Sequence, residues 1–149
     1  MVNWETFNIG VNEYVRFNQP GASSVVLNRV VGNTPSNHSA ILGNLTANGQ
    51  VFLVNPHGVY FGQSATIDVG ALVATTLAID DDDFMNGDYR FERPSGALDG
   101  AEVVNEGVIQ ARENGYVVLA GDYVSNTGEV SVARLGTVAL ASGSKMTMS

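Results

Sequence analysis

Apolar and polar residues alternate in short runs along most of the chain, and glycine and asparagine interrupt the runs at close intervals. Val130-Ser131-Val132 alternates strictly, and Val117-Val118-Leu119 carries an apolar residue at each end of the same two-residue period. A period of two belongs to a β-strand, in which successive side chains leave opposite faces; one set is expected inward and the other toward solvent. Asn-x-Gly or Asn-Gly separates the runs, and these residues supply or tolerate the positive φ of a sharp corner. The pattern also repeats. Residues 105–120 align with residues 126–141 at an offset of 21, with identities at Asn105/Asn126, Gly107/Gly128, Gly115/Gly136, Val117/Val138, Leu119/Leu140 and Ala120/Ala141. Ile109/Val130 and Ala111/Val132 keep apolar character at alternate positions, and the same offset links Gly49 to Gly70 and Val51 to Leu72.

A unit this short has no partner for its own apolar face. Stacking coil on coil, with strands about 4.8 Å apart, pairs each backbone group with the neighbouring rung and encloses a continuous narrow core. The expected fold is therefore all-β, a parallel β-helix of about 21 residues per coil. A leucine-rich repeat has a similar period but needs a leucine lattice that these units lack. A β-sandwich matches the composition yet gives no reason for a fixed register. Two stretches read as additions to the solenoid. Residues 80–100 contain Asn86-Gly87 between apolar pairs and are expected to form an extra-helical β-hairpin with a two-residue turn. Residues 32–43, with Pro35, Ser36, Asn37 and His38, read as a surface excursion rather than a coil. Residues 146–149 read as part of a further strand of the solenoid.

Composition narrows the function. With 149 residues, 44% of them apolar, the chain suits a single domain spanning 1–149. Only 7 Lys and Arg oppose 15 Asp and Glu, for a net charge of −8, so the basic footprint that nucleic acid or anionic lipid requires is missing. No apolar run approaches the roughly 18 to 20 residues of a membrane-spanning helix, and residues 1–4 lack the basic and apolar regions of a signal peptide. Cysteine is absent, which excludes disulfides, a thiol nucleophile and Cys-ligated metal. His38 and His57 have no second histidine at ligand spacing, and neither a metal nor a cofactor is expected.

The run from Leu45 to Gly62, with Asn48-Gly49 and Asn55-Pro56-His57-Gly58, resembles the signature of the two-partner secretion (TPS) domain of filamentous haemagglutinin-like exoproteins. Asn3-Trp4, Phe17-Asn18-Gln19-Pro20, Leu27-Asn28-Arg29-Val30, residues 69–76 and residues 136–143 are similar to the same family in the same order, so nearly the whole chain is covered. Two departures stand out. His57 occupies the third position of the family's Asn-Pro-Asn-Gly turn, and the family's signal peptide, capping strands and first coil have no counterpart before Asn3. The resemblance implies a right-handed, single-stranded parallel β-helix that acts as a secretion signal rather than a catalyst. It further implies recognition by the periplasmic domains of a Gram-negative outer-membrane transporter. The exoprotein would then be secreted or displayed at the cell surface as an adhesin, haemolysin or contact-dependent toxin.

Individual motifs have plain structural readings. Asn55-Pro56-His57-Gly58 fits a type I turn, with contact to a transporter as an addition. Asn105 and Asn126 are placed to stack as an amide ladder at a corner held by Gly107 and Gly128. Trp4 and Phe7 read as core and end packing. Asp80 to Asp83 read as a solvated acidic turn, since they lack the alternating ligands, Gly and distal Glu of a calcium loop. The sequons at Asn37 and Asn44 carry no assignment by themselves. Parallel β-helices also carry polysaccharide lyases and hydrolases, which need carboxylates converging about 5 to 9 Å apart. Asp68, Asp99 and Asp122 do not recur at the 21-residue offset, so no such cluster is expected. Direct adhesion to host glycan or protein remains the alternative to a secretion role.

Overall fold

The computed structural model describes residues 2–21, 23–31, 38–92, 101–133, 136–142 and 145–148. The chain winds into a parallel β-helix with three sheets along its axis. One sheet carries β1 (Val2–Trp4), β3 (Val25–Val30), β6 (Gln50–Val54), β9 (Ala71–Thr75), β14 (Tyr116–Gly121) and β17 (Thr137–Ser142). The second carries β4 (Ser39–Ile41), β7 (Val59–Phe61), β12 (Glu102–Asn105) and β15 (Tyr123–Asn126). The third carries β2 (Tyr14–Phe17), β5 (Asn44–Ala47), β8 (Thr66–Val69), β13 (Val108–Ala111) and β16 (Glu129–Val132). The repeat seen in the sequence is the structural register: Tyr116 pairs with Thr137, Val108 with Glu129 and Gln50 with Ala71, each 21 positions on.

Inward residues form stacked columns. Leu45, Ile67, Ile109 and Val130 make one column, and Val51, Leu72, Val117 and Val138 make another. Leu45, Ile67, Leu72, Ile109 and Val117 have no exposed surface, so van der Waals contact and desolvation bind each rung to the next. At the far rung the same columns open: Val138 and Leu140 are 46% and 49% exposed, whereas Val117 and Leu119 below them are at 0%.

The alternation reading needs correction for the six-stranded sheet. Val118 is buried, although a two-residue period directs it to solvent. The outer face of this sheet is covered, and Leu27, Phe52, Val54, Val73, Val118 and Ala120 join a second core with Leu77, Ile79, Phe84 and Phe91. A sheet sandwiched on both faces is apolar on both.

The cover is the extra-helical unit, and its form differs from the expected hairpin. β10 (Ala78–Ile79), β11 (Tyr89–Glu92) and β18 (Lys145–Met148) make a small antiparallel sheet, so the C-terminal strand joins this unit rather than adding a coil. Between β10 and β11 lies α1 (Asp81–Met85). The aspartates build its first turn: the Asp80 carboxylate accepts the Asp82 N–H at 2.8 Å, and Asp81, Asp82 and Asp83 follow. Anionic residues at a helix N-terminus cap its free N–H groups and complement its dipole. Asn86 caps the other end and Gly87 follows at φ +76°, so Asn86-Gly87 ends a helical turn and does not form a two-residue hairpin. Residues 93–100 of the expected hairpin lie outside the described residues, as do residues 32–37 of the expected excursion. Ser39–Ile41 of that excursion belongs to the solenoid, as the strand β4 paired with β7.

The corner glycines are required for a different reason from the one expected. Among the described glycines only Gly58 and Gly87 have positive φ. Gly107 and Gly128 are instead places of close backbone approach: a Cβ on Gly128 would lie 2.2 Å from the Gly107 carbonyl oxygen, and one on Gly107 2.5 Å from that of Gly62. Consecutive rungs touch through their main chains at these corners, which leaves no volume for a methyl group.

Candidate functional site

The signature turn joins β6 to β7. The Gly58 N–H donates to the Asn55 carbonyl at 3.1 Å and closes the β-turn, while the His57 N–H donates to Asn55 Oδ1 at 3.0 Å. Asn55 is fully buried, and its Nδ2 donates to Ser39 Oγ on β4 at 2.9 Å. One amide side chain thus shapes the turn and ties it to the rung below. Gly58 sits at φ +120°, which side chains rarely allow, with the Glu102 carbonyl 3.1 Å from where a Cβ would be.

The fold assembles groups here that spacing kept apart. His38 and His57 border one surface cavity of about 280 Å³ together with Tyr60, Glu102 and Val104. They come from β7 and the turn before it, from β12 and from the residues leading into β4. The Tyr60 hydroxyl donates to Glu106 Oε1 at 2.6 Å, which favours the protonated phenol and raises its pKa. Sequence spacing missed this grouping, because His38, His57 and Glu102 lie on three different rungs. Among the described residues no set of three His, Asp or Glu side chains is arranged to hold a metal.

The other signature residues act as clasps. Asn48 Nδ2 donates to the Gln19 carbonyl and Asn48 Oδ1 accepts the Gln19 N–H, both at 2.7 Å. The Gly49 N–H donates to Gln19 Oε1 at 3.0 Å, and Gly49 has room for no Cβ, since Gln19 Nε2 and the Ser24 carbonyl would lie 2.7 Å from it. Asn48-Gly49 therefore fastens the segment before β3 to the coil above. Asn28 is buried at the interior end of a column, and its Oδ1 accepts Trp4 Nε1–H at 3.1 Å. Trp4 remains 37% exposed and packs edge-on against Phe7, so Trp4 is end packing while Phe7 belongs to the core. Asn3 lies on β1, with Arg29 as its partner across the ladder. Arg29 points to the outer face, where it pairs with Asp81 and donates to the Ile79 carbonyl at 2.9 Å. At the last corner Asn105 Nδ2 donates to Asn126 Oδ1 at 3.0 Å, the expected ladder, and the Gly107 N–H donates to Asn105 Oδ1.

The fold recurs in a known protein. The family model of the TPS secretion domain matches residues 1–148. The chain belongs to the TPS secretion domain family. The crystal structure of the HMW1 secretion domain from Haemophilus influenzae superposes with a TM-score of 0.92 at 39% identity, over 99% of this chain and 38% of that one. A heme/hemopexin-binding protein of H. influenzae strain Rd is 42% identical over 150 residues, spanning 98% of this chain and 16% of the relative. A second H. influenzae protein of the same name is 42% identical over 92 residues, covering 62% of this chain and 10% of its own. This TPS domain therefore spans a small fraction of the curated relatives it matches.

Proposed function

We propose that this TPS domain is the export signal of a large exoprotein, bound in the periplasm by the periplasmic domains of a dedicated outer-membrane transporter. The match across residues 1–148 carries the reading. Outside the cell, a solenoid whose rungs depend on nearest neighbours folds coil by coil, and the folded domain templates the coils that follow. The absence of cysteine is compatible with passage of an unfolded chain. Recognition would use extended segments added to a partner's sheet edge, with side chains of the Asn55-Pro56-His57-Gly58 turn as contact points. The mature exoprotein would be released or held at the surface of a Gram-negative cell as an adhesin, haemolysin or contact-dependent toxin. The names of its relatives make capture of heme or hemopexin one such activity for the complete protein.

The test is titration of the chain with the periplasmic domains of the transporter encoded beside its gene. Saturable binding that Pro56→Ala with Gly58→Ala weakens, with the circular dichroism spectrum unchanged, is the expected result. A folded wild type that does not bind would defeat the reading, and screens of host glycans and proteins would then test the adhesin alternative.

A further inference from the structure

The outer face of the third sheet holds a polar groove. Tyr14, Arg16, Thr46, Asn48, Asp68 and Arg112 border a cavity of about 280 Å³. A second cavity of about 350 Å³ shares Asn48 and Arg112 and continues past Glu113 to Tyr116. The two cavities adjoin at these shared residues.

Its lining alternates by rung. Arg16, Thr46 and Asp68 are successive partners in the ladder from β2 through β5 to β8. Their outward side chains therefore recur at the strand spacing of about 4.8 Å, comparable with one sugar unit of an extended polysaccharide. A cationic donor, a hydroxyl and a carboxylate acceptor follow one another. Such a row suits a ligand whose groups both donate and accept, as sugar hydroxyls do. Tyr14 supplies an apolar platform at the near end: it is 58% exposed, and its hydroxyl meets Thr46 Oγ1 at 3.0 Å, although its ladder partner is Asn44. The ring is thereby drawn diagonally across the sheet instead of standing away from it. Arg112 lies 3.9 Å from Asp68, with both about half exposed, so the pair is loosely held and open to exchange for ligand hydroxyls. The charges compensate, with Arg16 and Arg112 set against Asp68 and Glu113, within a chain of net charge −8. That balance favours an uncharged ligand over an acidic one.

We infer that this groove binds a neutral saccharide chain lying along the helix axis, with Tyr14 against a sugar face and Arg16, Asp68 and Arg112 on its hydroxyls. Asn48, whose amide is committed to Gln19, forms the floor. The inference is independent of transporter recognition.

Calorimetric titration of the chain with cellohexaose, maltohexaose, chitohexaose and hexagalacturonate tests it. At least one neutral oligomer should bind saturably and with little dependence on salt. Tyr14→Ala and Asp68→Asn should each weaken binding about tenfold, the loss expected for one buried polar or stacking contact. Tyr123→Ala, on the second sheet and equally exposed, should leave it unchanged. Binding of no neutral oligomer, or of hexagalacturonate alone and only at low salt, would overturn the inference. It would also fail if Tyr14→Ala and Asp68→Asn abolished transporter binding while no saccharide bound, since the groove would then be a protein interface.

Discussion

Gly128 separates two explanations of why glycine stands at a corner. Its φ is ordinary, but a Cβ would sit 2.2 Å from the Gly107 carbonyl, so Gly128→Ala must push two rungs apart. By urea unfolding we expect a loss of about 1–3 kcal/mol, the usual cost of overpacking. Gly21→Ala, with nothing within 4 Å of its Cβ, should stay within about 0.5 kcal/mol of wild type. Equal losses at the two sites would refute the close-approach account. Titration acts at this scale too. Tyr116 is half-buried with its hydroxyl donated to Gln50 Oε1, and desolvation raises its pKa well above the ordinary 10; the hydrogen bond to Glu106 raises that of Tyr60. A pKa raised by folding means that the protonated phenol stabilises the native state. That contribution is complete below pH 10 and is lost as pH climbs above it. Melting temperature should therefore fall above pH 10, and Tyr116→Phe should flatten the decline. The sequence singled out Asn105, Gly107, Asn126 and Gly128 as corner residues. It assigned the glycines the wrong physical reason, because close approach between rungs is invisible along one strand.

Among the elements, the extra-helical unit is the one whose attachment can be tested. Arg29 on β3 ties it to the helix through Asp81 and the Ile79 carbonyl, and Phe52 on β6 enters it against Phe84, Tyr89 and Phe91. Phe52→Ala should cost about 3–5 kcal/mol, the range for a buried aromatic removed from a core. Arg29→Gln should cost about 1 kcal/mol or less, as expected for a part-exposed pair. Its clearer signature is faster amide exchange confined to β10, α1 and β11, with the three long sheets unchanged. Uniform acceleration across the helix would contradict a local clasp. The continuous apolar runs at residues 51–54 and 71–74 were the available sign of a sheet covered on both faces. Nothing local indicated which segment supplied the cover. The four aspartates likewise gave notice of a polar turn, and only the position of Asp80 before an apolar-faced Phe84 made it a helix start.

The molecule as a whole is a stack, and its stability should vary along the axis. Interior rungs are covered above and below, whereas Val138 and Leu140 on the last one are half exposed. In nearest-neighbour arrays the terminal units open first, so amide protection should be highest in β6, β9 and β14 and lowest in β15 to β17. Leu140→Ala should accordingly destabilise far less than Leu119→Ala, its ladder partner, which we expect to cost about 2–5 kcal/mol. Equal losses in chemical denaturation would mean that the columns are not energetically graded.

The sequence alone determined the period, the parallel stacking, the order of the family's motifs and the turn at Asn55 to Gly58. These follow from short-range properties: two-residue alternation, corner residues, and a repeat that becomes a register when copies stack. Only the tertiary structure decided what covers the outer face of the longest sheet, that β18 returns to the extra-helical unit, and that Tyr14, Arg16, Asp68 and Arg112 share one groove. Those groupings join residues from different rungs. A periodic sequence specifies which positions stack, but an insertion between β9 and β12 and the side chains on successive rungs meet only once the coils are wound.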